Sequence, residues 1–277
     1  MRHVAPTREA FDRRVLAVPP LVHWQAYEPL IAAQAWPVTD DLNALLPAGS
    51  SQHFVTQDKA LLDDGLHYEE RIARGAIATR AGNWHDLFNA LVWLRYPALK
   101  RALNARQVEE IARMGPRERS RPQCALTHFD EAGIIVTLRD PRMLAAWDKH
   151  DWHAFFWTHR EAWLRGDARV EIFGHALLEH ALTPDKLLVG KALVVMGDGD
   201  AVEACTRAIG GGGILNDPQE LRPLPVSGVP GWHAGTADEA FYTTAPCFQP
   251  IRAGRLYPAA LGALPDSDEP VIADVIA

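Results

Sequence analysis

The sequence predicts an α+β fold, in which a helix-rich single domain over residues 1–277 surrounds a small mixed sheet. Several long segments place apolar residues at helical spacing between recognisable end signals. Short runs rich in β-branched residues, which are typical of strands, alternate with them. The chain has 277 residues, of which 48% are hydrophobic and 23% charged, so it can fill one large core.

The best-defined helix begins after Asn83, a residue type that caps helix N-termini. Asp86 follows three positions later and completes a variant of the capping box. The helix is expected to end near Arg95, because Pro97 restricts the residue before it and suits the first turn of a second helix, which extends to Asn104.

The amino-terminal part of the chain is predicted to be helical over residues 7–46, with a break at Pro19-Pro20. Residues 66–77 show partial alternation of apolar and polar side chains. Since alternation is the strand pattern, this segment is expected to be a strand.

A β-hairpin is predicted where the apolar runs 125–129 and 133–138 flank a short turn that contains glycine. Strand, helix and strand patterns at 170–173, 174–182 and 188–196 then predict one βαβ unit. The proline-rich segment 217–277 is expected to be extended, because proline disfavours helix interiors.

Charge and cysteine content exclude several classes of protein. The formal net charge is −7 and no dense basic stripe occurs, which disfavours a nucleic-acid partner. Three cysteines without a CxxC pair exclude a disulfide framework. The longest apolar stretch, 187–196, is too short to span a bilayer, so no membrane partner and a cytoplasmic location are expected.

The first candidate functional residues are His85 and Asn89, four residues apart on the helix that follows Asn83. That helix has little polar surface, so both side chains are expected to be buried and to need hydrogen-bond partners. They either brace the core or present an imidazole and an amide to a cleft, and the sequence leaves both readings open.

The second candidates are Asp130 and Glu131, a pair of acids at the tip of the predicted hairpin. His128 lies two residues before Asp130 and would share its face on a strand. Either acid could ligate a hard cation or act as a general base, and an ordinary acidic turn is the alternative.

The third candidate is His175 at the start of a short helix, where the helix dipole disfavours protonation and keeps the imidazole neutral. Glu179 lies one turn later and could reach the same metal, but such pairs are common on helix surfaces, and the segment 179–180 is expected to be solvated. The spacing matches neither HExxH nor HxxEH, so those zinc-protease motifs are excluded.

The segment NWHDLFNALVW at residues 83–93 resembles the bacterial domain of unknown function 3025 family. Supporting matches within about residues 50–255 are LNAR at 103–106, ALT at 125–127, FDEAG at 129–133, FGHAL at 173–177, PLP at 223–225 and GW at 231–232. Gln249 departs from the pattern, since a basic residue is expected there. The resemblance implies a bacterial origin and a single-domain unit, but no activity.

The residues themselves lead to two functional hypotheses. In the first, the protein is a metal-assisted or acid/base hydrolase of a small-molecule substrate, with a phosphoester as the favoured bond. His85, Asp130 and His175 hold a divalent metal in this hypothesis, and Asn89 and Glu131 support them. In the second, the protein is a non-catalytic binding or adaptor protein whose buried polar residues only brace the fold.

Overall fold

The computed structural model describes residues 4–115 and 118–262. The α-helices are α1 (Glu28–Ala32), α2 (Thr39–Asn43), α3 (Lys59–Leu62), α4 (Tyr68–Ala73), α5 (Trp84–Arg95), α6 (Pro97–Met114), α7 (Arg121–Ala132), α8 (Pro141–Asp148), α9 (Arg160–Arg165), α10 (His175–His180), α11 (Ala201–Gly210) and α12 (Phe241–Thr244). Shorter 3-10 helices span Arg13–Ala17, Leu21–Tyr27, Pro218–Glu220, Val226–Gly228 and Ala234–Ala237, and a π-helix spans His153–Thr158. Within the described ranges, no helix combines the length and apolar character that crossing a membrane requires.

Two small sheets accompany these helices. Their strands are β1 (His53–Thr56), β2 (Ala76–Thr79), β3 (Gly133–Leu138), β4 (Ala168–Ile172), β5 (Val189–Met196), β6 (Arg222–Pro225) and β7 (Leu261–Gly262). The larger sheet has the order β4-β3-β5-β6, with β7 also on β5, and it mixes parallel and antiparallel pairs. β1 and β2 form a separate parallel pair. The predicted α+β class, with helices around a small mixed sheet, is confirmed.

The core lies around β3, every residue of which is buried. Its Ile134, Val136 and Leu138 are fully shielded from water and belong to an apolar cluster that extends from Phe11 to Tyr242 along the chain. Full burial of one such side chain contributes roughly 1.5–3 kcal/mol, so this cluster is the main source of stability. The polar residues of the candidate site lie on helices packed around it.

Helix α5 matches its prediction closely. Asn83 is its N-cap, and the Asn83 side chain accepts a hydrogen bond of 3.0 Å from the backbone N–H of Asp86. The predicted capping box is wrong, because the carboxylate of Asp86 does not complete it. This carboxylate instead accepts hydrogen bonds from the backbone and the guanidinium of Arg80. The next helix, α6, begins at Pro97 as expected and continues ten residues beyond Asn104, to Met114.

The predicted β-hairpin is wrong, because residues 125–129 belong to helix α7. Ser120 and Gln123 form a capping box, and Pro122 occupies the first turn, so the helix start is strongly specified. Leu126 and Phe129 are both buried at helical spacing. The β-rich composition of this run was therefore outweighed by capping and by burial of one helix face.

The predicted βαβ unit is also wrong, although its three elements exist as β4, α10 and β5. β4 is antiparallel to β3 and β5 is parallel to β3, so β4 and β5 run in opposite directions. β3 occupies the position between them. A βαβ unit requires parallel strands, and the sequence did not reveal that β3 would separate these two.

Three further segments differ from their predictions. Residues 66–77 contain helix α4 and the start of β2 instead of one strand. Residues 7–46 are helical only in short pieces, which do break at Pro19-Pro20. The segment 217–262 contains extended strands and also short helices, one of which places Tyr242 in the aromatic core. Residues 263–277 of the predicted extended segment lie outside the described residues.

Candidate metal centre

Three helices that are distant in sequence meet at the candidate site. α10 packs against both α5 and α7, which brings the start of α10 beside the end of α7. Gly174 makes this approach feasible, because a Cβ atom there would lie only 2.4 Å from the Cα of Ala132. The Gly174 N–H also donates a 2.8 Å hydrogen bond to the carbonyl of Gly133. His175 is consequently held next to the acidic end of α7.

His85, Glu131 and His175 place three potential ligand atoms close together. The two Nε2 atoms of His85 and His175 are 3.0 Å apart. Oε2 of Glu131 lies 3.6 Å from Nε2 of His175 and 3.9 Å from Nε2 of His85. Ligand atoms around a tetrahedral zinc ion with bonds of ~2.0–2.1 Å are separated by about 3.3 Å. The three atoms are therefore arranged as one side of a metal coordination shell would be.

The imidazole of His85 is oriented by Glu179. Nδ1 of His85 lies 3.2 Å from Oε2 of Glu179. Since a carboxylate only accepts hydrogen bonds, Nδ1 is the donor, and in the neutral ring the lone pair is then on Nε2, toward His175. This hydrogen bond, opposed by burial, raises the pKa of His85. The prediction that Glu179 is solvated is wrong, since its side chain is only 19% exposed and contacts His85.

His175 is the most buried member of the group, with an exposed fraction of 4%. Burial lowers the pKa of His175 to about 3, so its ring is neutral at physiological pH, as predicted. Burial is the largest cause of this lowered pKa, whereas the sequence-based prediction relied on the helix dipole. Nδ1 of His175 is shielded from water, has no hydrogen-bond partner among the described residues and lies 3.8 Å from Oδ2 of Asp130.

Asp130 lies at the Nδ1 side of His175, away from the three converging atoms, so the geometry places Glu131 in the ligand position for which Asp130 was predicted. Lys100 donates a 2.6 Å hydrogen bond to Oδ1 of Asp130. Burial alone would raise the pKa of Asp130, but the charge of Lys100 and its hydrogen bond outweigh burial and leave the pKa below its ordinary value. Carboxylates beside the second nitrogen of metal-binding histidines commonly orient them, and Asp130 and Glu179 occupy those positions.

The group opens into a cavity of about 350 Å³. Helices α4, α5, α6 and α7 supply most of its walls, and its polar lining includes all five predicted site residues: His85, Asn89, Asp130, Glu131 and His175. Asn89 donates a 2.9 Å hydrogen bond to the hydroxyl of Tyr68 and accepts one of 2.8 Å from Lys100. The structure thus brings together the three predicted segments, while the chemical role of their residues remains a prediction.

Glu69 is a further acid in this cavity, and Asn104 donates a 2.7 Å hydrogen bond to its carboxylate. Burial, reinforced by the negative charge of Asp130, raises the pKa of Glu69 to about 7. The folded protein therefore holds a proton at Glu69 more tightly than the unfolded chain does. Stability linked to this group is present at acidic pH and is lost as the pH rises through the interval between the unfolded and folded pKa values.

We expect Glu69→Gln to remove this pH dependence, because glutamine keeps the shape of the side chain and cannot ionise. Between about pH 5 and about pH 8, the free energy of unfolding of the wild type should fall by on the order of 2 kcal/mol relative to that of the variant. Urea denaturation at both pH values measures the difference. Parallel pH profiles of the two proteins would contradict the raised pKa of Glu69.

Sequence reasoning missed Tyr68, Glu69 and Lys100, whereas Glu179 was considered beside His175 but expected to be solvated. Lys100 is the instructive case: with Asn104 and Gln107 it forms a stripe at i, i+4 and i+7 on α6, and all three residues are buried. Polar residues at the spacing of a buried helix face are a usable signal. A helix that ends at Asn104, as predicted, leaves Gln107 outside it and so hides the stripe.

Comparison with known proteins adds a family and no activity. The model of a family described as protein of unknown function (DUF3025) matches residues 52–252, which is more than half of the chain. No curated protein and no solved structure matches the chain. The chemistry of the site is therefore what indicates a function.

Proposed function

We propose that this chain, which belongs to the DUF3025 family of proteins of unknown function, is a metal-dependent hydrolase. The observation that carries the proposal is the approach of His85, His175 and Glu131 to within 3.0–3.9 Å of one another at the wall of a cavity. Two histidines and one glutamate, with a further position left for water or substrate, form the ligand set of hydrolytic zinc sites.

The donor atoms favour a transition metal over Mg²⁺ or Ca²⁺. Imidazole nitrogens suit Zn²⁺, Fe²⁺ and related ions, whereas the harder cations prefer a shell of oxygen ligands. A bound cation of this kind would lower the pKa of a water molecule and polarise the bond to be cleaved. His85 and His175 would hold it through their Nε2 atoms, with Glu179 and Asp130 behind them.

A phosphoester is the favoured substrate bond, because three cationic side chains, Arg80, Lys100 and Arg119, line the same cavity. Arg80 is paired with Asp86 and Lys100 with Asp130, and Arg119 is exposed. Cations around a transferring phosphoryl group stabilise the charge that develops on its oxygens. The acids Glu69, Asp86, Asp130 and Glu131 line the cavity as well, so this preference rests on contact with the individual cations and not on a net positive charge.

The adaptor hypothesis explains the same contacts differently. In that account His85 is protonated and donates to both His175 and Glu179, and the polar cluster only braces three helices. Metal binding is the property that separates the accounts. The two-histidine, one-carboxylate set also holds Fe²⁺ in oxygenases, so iron belongs among the metals tested.

Hydrolysis of chromogenic esters tests the proposal. Metal-free protein is loaded with Zn²⁺, Mn²⁺, Mg²⁺ or Fe²⁺ and assayed with p-nitrophenyl phosphate, bis-p-nitrophenyl phosphate and p-nitrophenyl acetate. We expect turnover of a phosphoester that requires Zn²⁺ or another transition metal and is lost in His85→Ala but retained in the control His128→Ala. Turnover of the acetate alone would overturn the phosphoester assignment. Metal-dependent oxygen uptake without hydrolysis would favour an oxygenase.

A further inference from the structure

Tyr68 contributes a hydroxyl group to the cavity that holds the candidate metal centre. Its neighbour Asn89 lies one helical turn after His85 on α5, and side chains at this spacing have Cβ atoms about 5–6 Å apart. The Tyr68 hydroxyl, 2.9 Å from the amide nitrogen of Asn89, therefore lies within the reach of a small substrate from the ligand atoms.

The orientation of the Asn89 amide follows from its contact with Lys100. An ammonium group has only hydrogen-bond donors, so the amide oxygen of Asn89, 2.8 Å from Nζ of Lys100, must be the atom that faces it. The flipped amide would place its NH₂ group against the ammonium. Lys100 is itself held by Asp130, whose Oδ1 accepts a 2.6 Å hydrogen bond.

The Asn89 amide in turn determines what the Tyr68 hydroxyl can do. Since the NH₂ group of Asn89 faces Tyr68, the phenolic oxygen accepts this hydrogen bond and the phenolic proton remains to be donated elsewhere. No described residue accepts it. Burial, together with the negative charges of Glu69 and Asp130, raises the pKa of Tyr68, so the phenol keeps its proton at neutral pH.

We propose that the Tyr68 hydroxyl donates a hydrogen bond to an anionic oxygen of the substrate, and that Asn89 and Lys100 position it for this contact. The inference rests on the proposed hydrolase and extends it, because it names a substrate-binding residue and the kind of substrate atom that it recognises. A phosphoryl oxygen held at the cation would be such an acceptor. Asn89 is a positioning residue, which acts on the substrate through Tyr68. Lys100 fixes the orientation of the Asn89 amide in addition to placing a positive charge at the cavity wall.

Two variants test the inference through the binding of inorganic phosphate, measured by isothermal titration calorimetry. Tyr68→Phe removes the donor, and a hydrogen bond to a charged group contributes enough that the dissociation constant should rise about 10- to 100-fold. Asn89→Asp replaces the amide by a carboxylate that would accept the Tyr68 proton, so it should cause a loss of similar size. Tyr27→Phe removes a hydroxyl outside the cavity lining and should leave phosphate binding unchanged.

The same titrations are run on zinc-loaded and on metal-free protein, with zinc affinity measured separately for each variant. Unchanged zinc affinity combined with weakened phosphate binding in Tyr68→Phe and Asn89→Asp supports the inference. Equal phosphate affinity of the wild type and Tyr68→Phe overturns it, as does the absence of phosphate binding to either form of the wild type. If the wild type binds no metal, the hydrolase proposal fails separately, and the metal-free titrations still decide the role of Tyr68.

Discussion

His175→Ala is expected to abolish the rise in melting temperature that Zn²⁺ produces in the wild-type protein. His175 supplies one of the three ligand atoms, and alanine supplies none. Since His175 is only 4% exposed, few other groups can reach its position in the variant. At a metal concentration about 100 times the dissociation constant, binding adds about 2.7 kcal/mol to stability. For a chain of this size that corresponds to a rise of roughly 5–10 °C in the wild type.

Loss of stability alone does not distinguish a ligand from a structural residue. Because His175 is buried, alanine at this position is expected to lower stability by about 1–3 kcal/mol in metal-free protein in either account. The informative quantity is the metal-dependent increment. It should be present in the wild type and in the control His128→Ala, and absent in His175→Ala. A destabilised variant, with no metal effect in any of the three proteins, would leave the bracing role standing and eliminate the hydrolase.

Lys100→Met is expected to lower the free energy of unfolding by about 3 kcal/mol, because removing one partner of a buried ion pair leaves the other uncompensated. The Lys100 side chain is 6% exposed and that of Asp130 is 26% exposed. In the wild type the depressed pKa of Asp130 contributes stability above the ordinary carboxyl pKa, and this contribution is lost as the pH falls. In the variant, acidification neutralises the unpaired carboxylate, so the destabilisation should shrink as the pH is lowered.

Two controls accompany this measurement by urea denaturation. Lys100→Met combined with Asp130→Asn removes both charges and should recover part of the lost stability, which a double-mutant cycle quantifies. Arg142→Met breaks the ion pair between Arg142 and Asp140, in which the side chain of Arg142 is 82% exposed. This substitution should lower the free energy of unfolding by less than about 1 kcal/mol. Equal losses in Lys100→Met and Arg142→Met would show that Lys100 is not the buried counter-charge of Asp130.

Local signals in the sequence predicted the elements of the site better than their connections. The cap at Asn83 and the proline at Pro97 are short-range features, and both helix starts were found where expected. The helical state of residues 125–129 depends on the capping box of Ser120 and Gln123, which lies before the segment and outside the pattern of the segment itself. The position of β3 between β4 and β5 depends on long-range pairing, which periodicity does not encode.

The polar residues of the site could be selected for a physical reason, but their roles within it could not. His85 and His175 each lie in strongly apolar segments, where an isolated polar group is costly, and this cost indicated a shared site. Either Asp130 or Glu131 could face the two imidazoles. The rotation of α7 about its own axis, relative to α5 and α10, determines which one does. That rotation placed Glu131 beside the imidazole Nε2 atoms and Asp130 beside Lys100.

An anomalous difference map from crystals grown with Zn²⁺ shows directly whether a metal binds at the three ligand atoms. We expect one strong peak among Nε2 of His85, Nε2 of His175 and the carboxylate of Glu131, with metal–ligand distances of about 2.0–2.2 Å. The imidazoles should keep their contacts with Glu179 and Asp130. A map without a peak at this position would contradict the metal site. The two Nε2 atoms would then remain 3.0 Å apart and joined by a direct hydrogen bond.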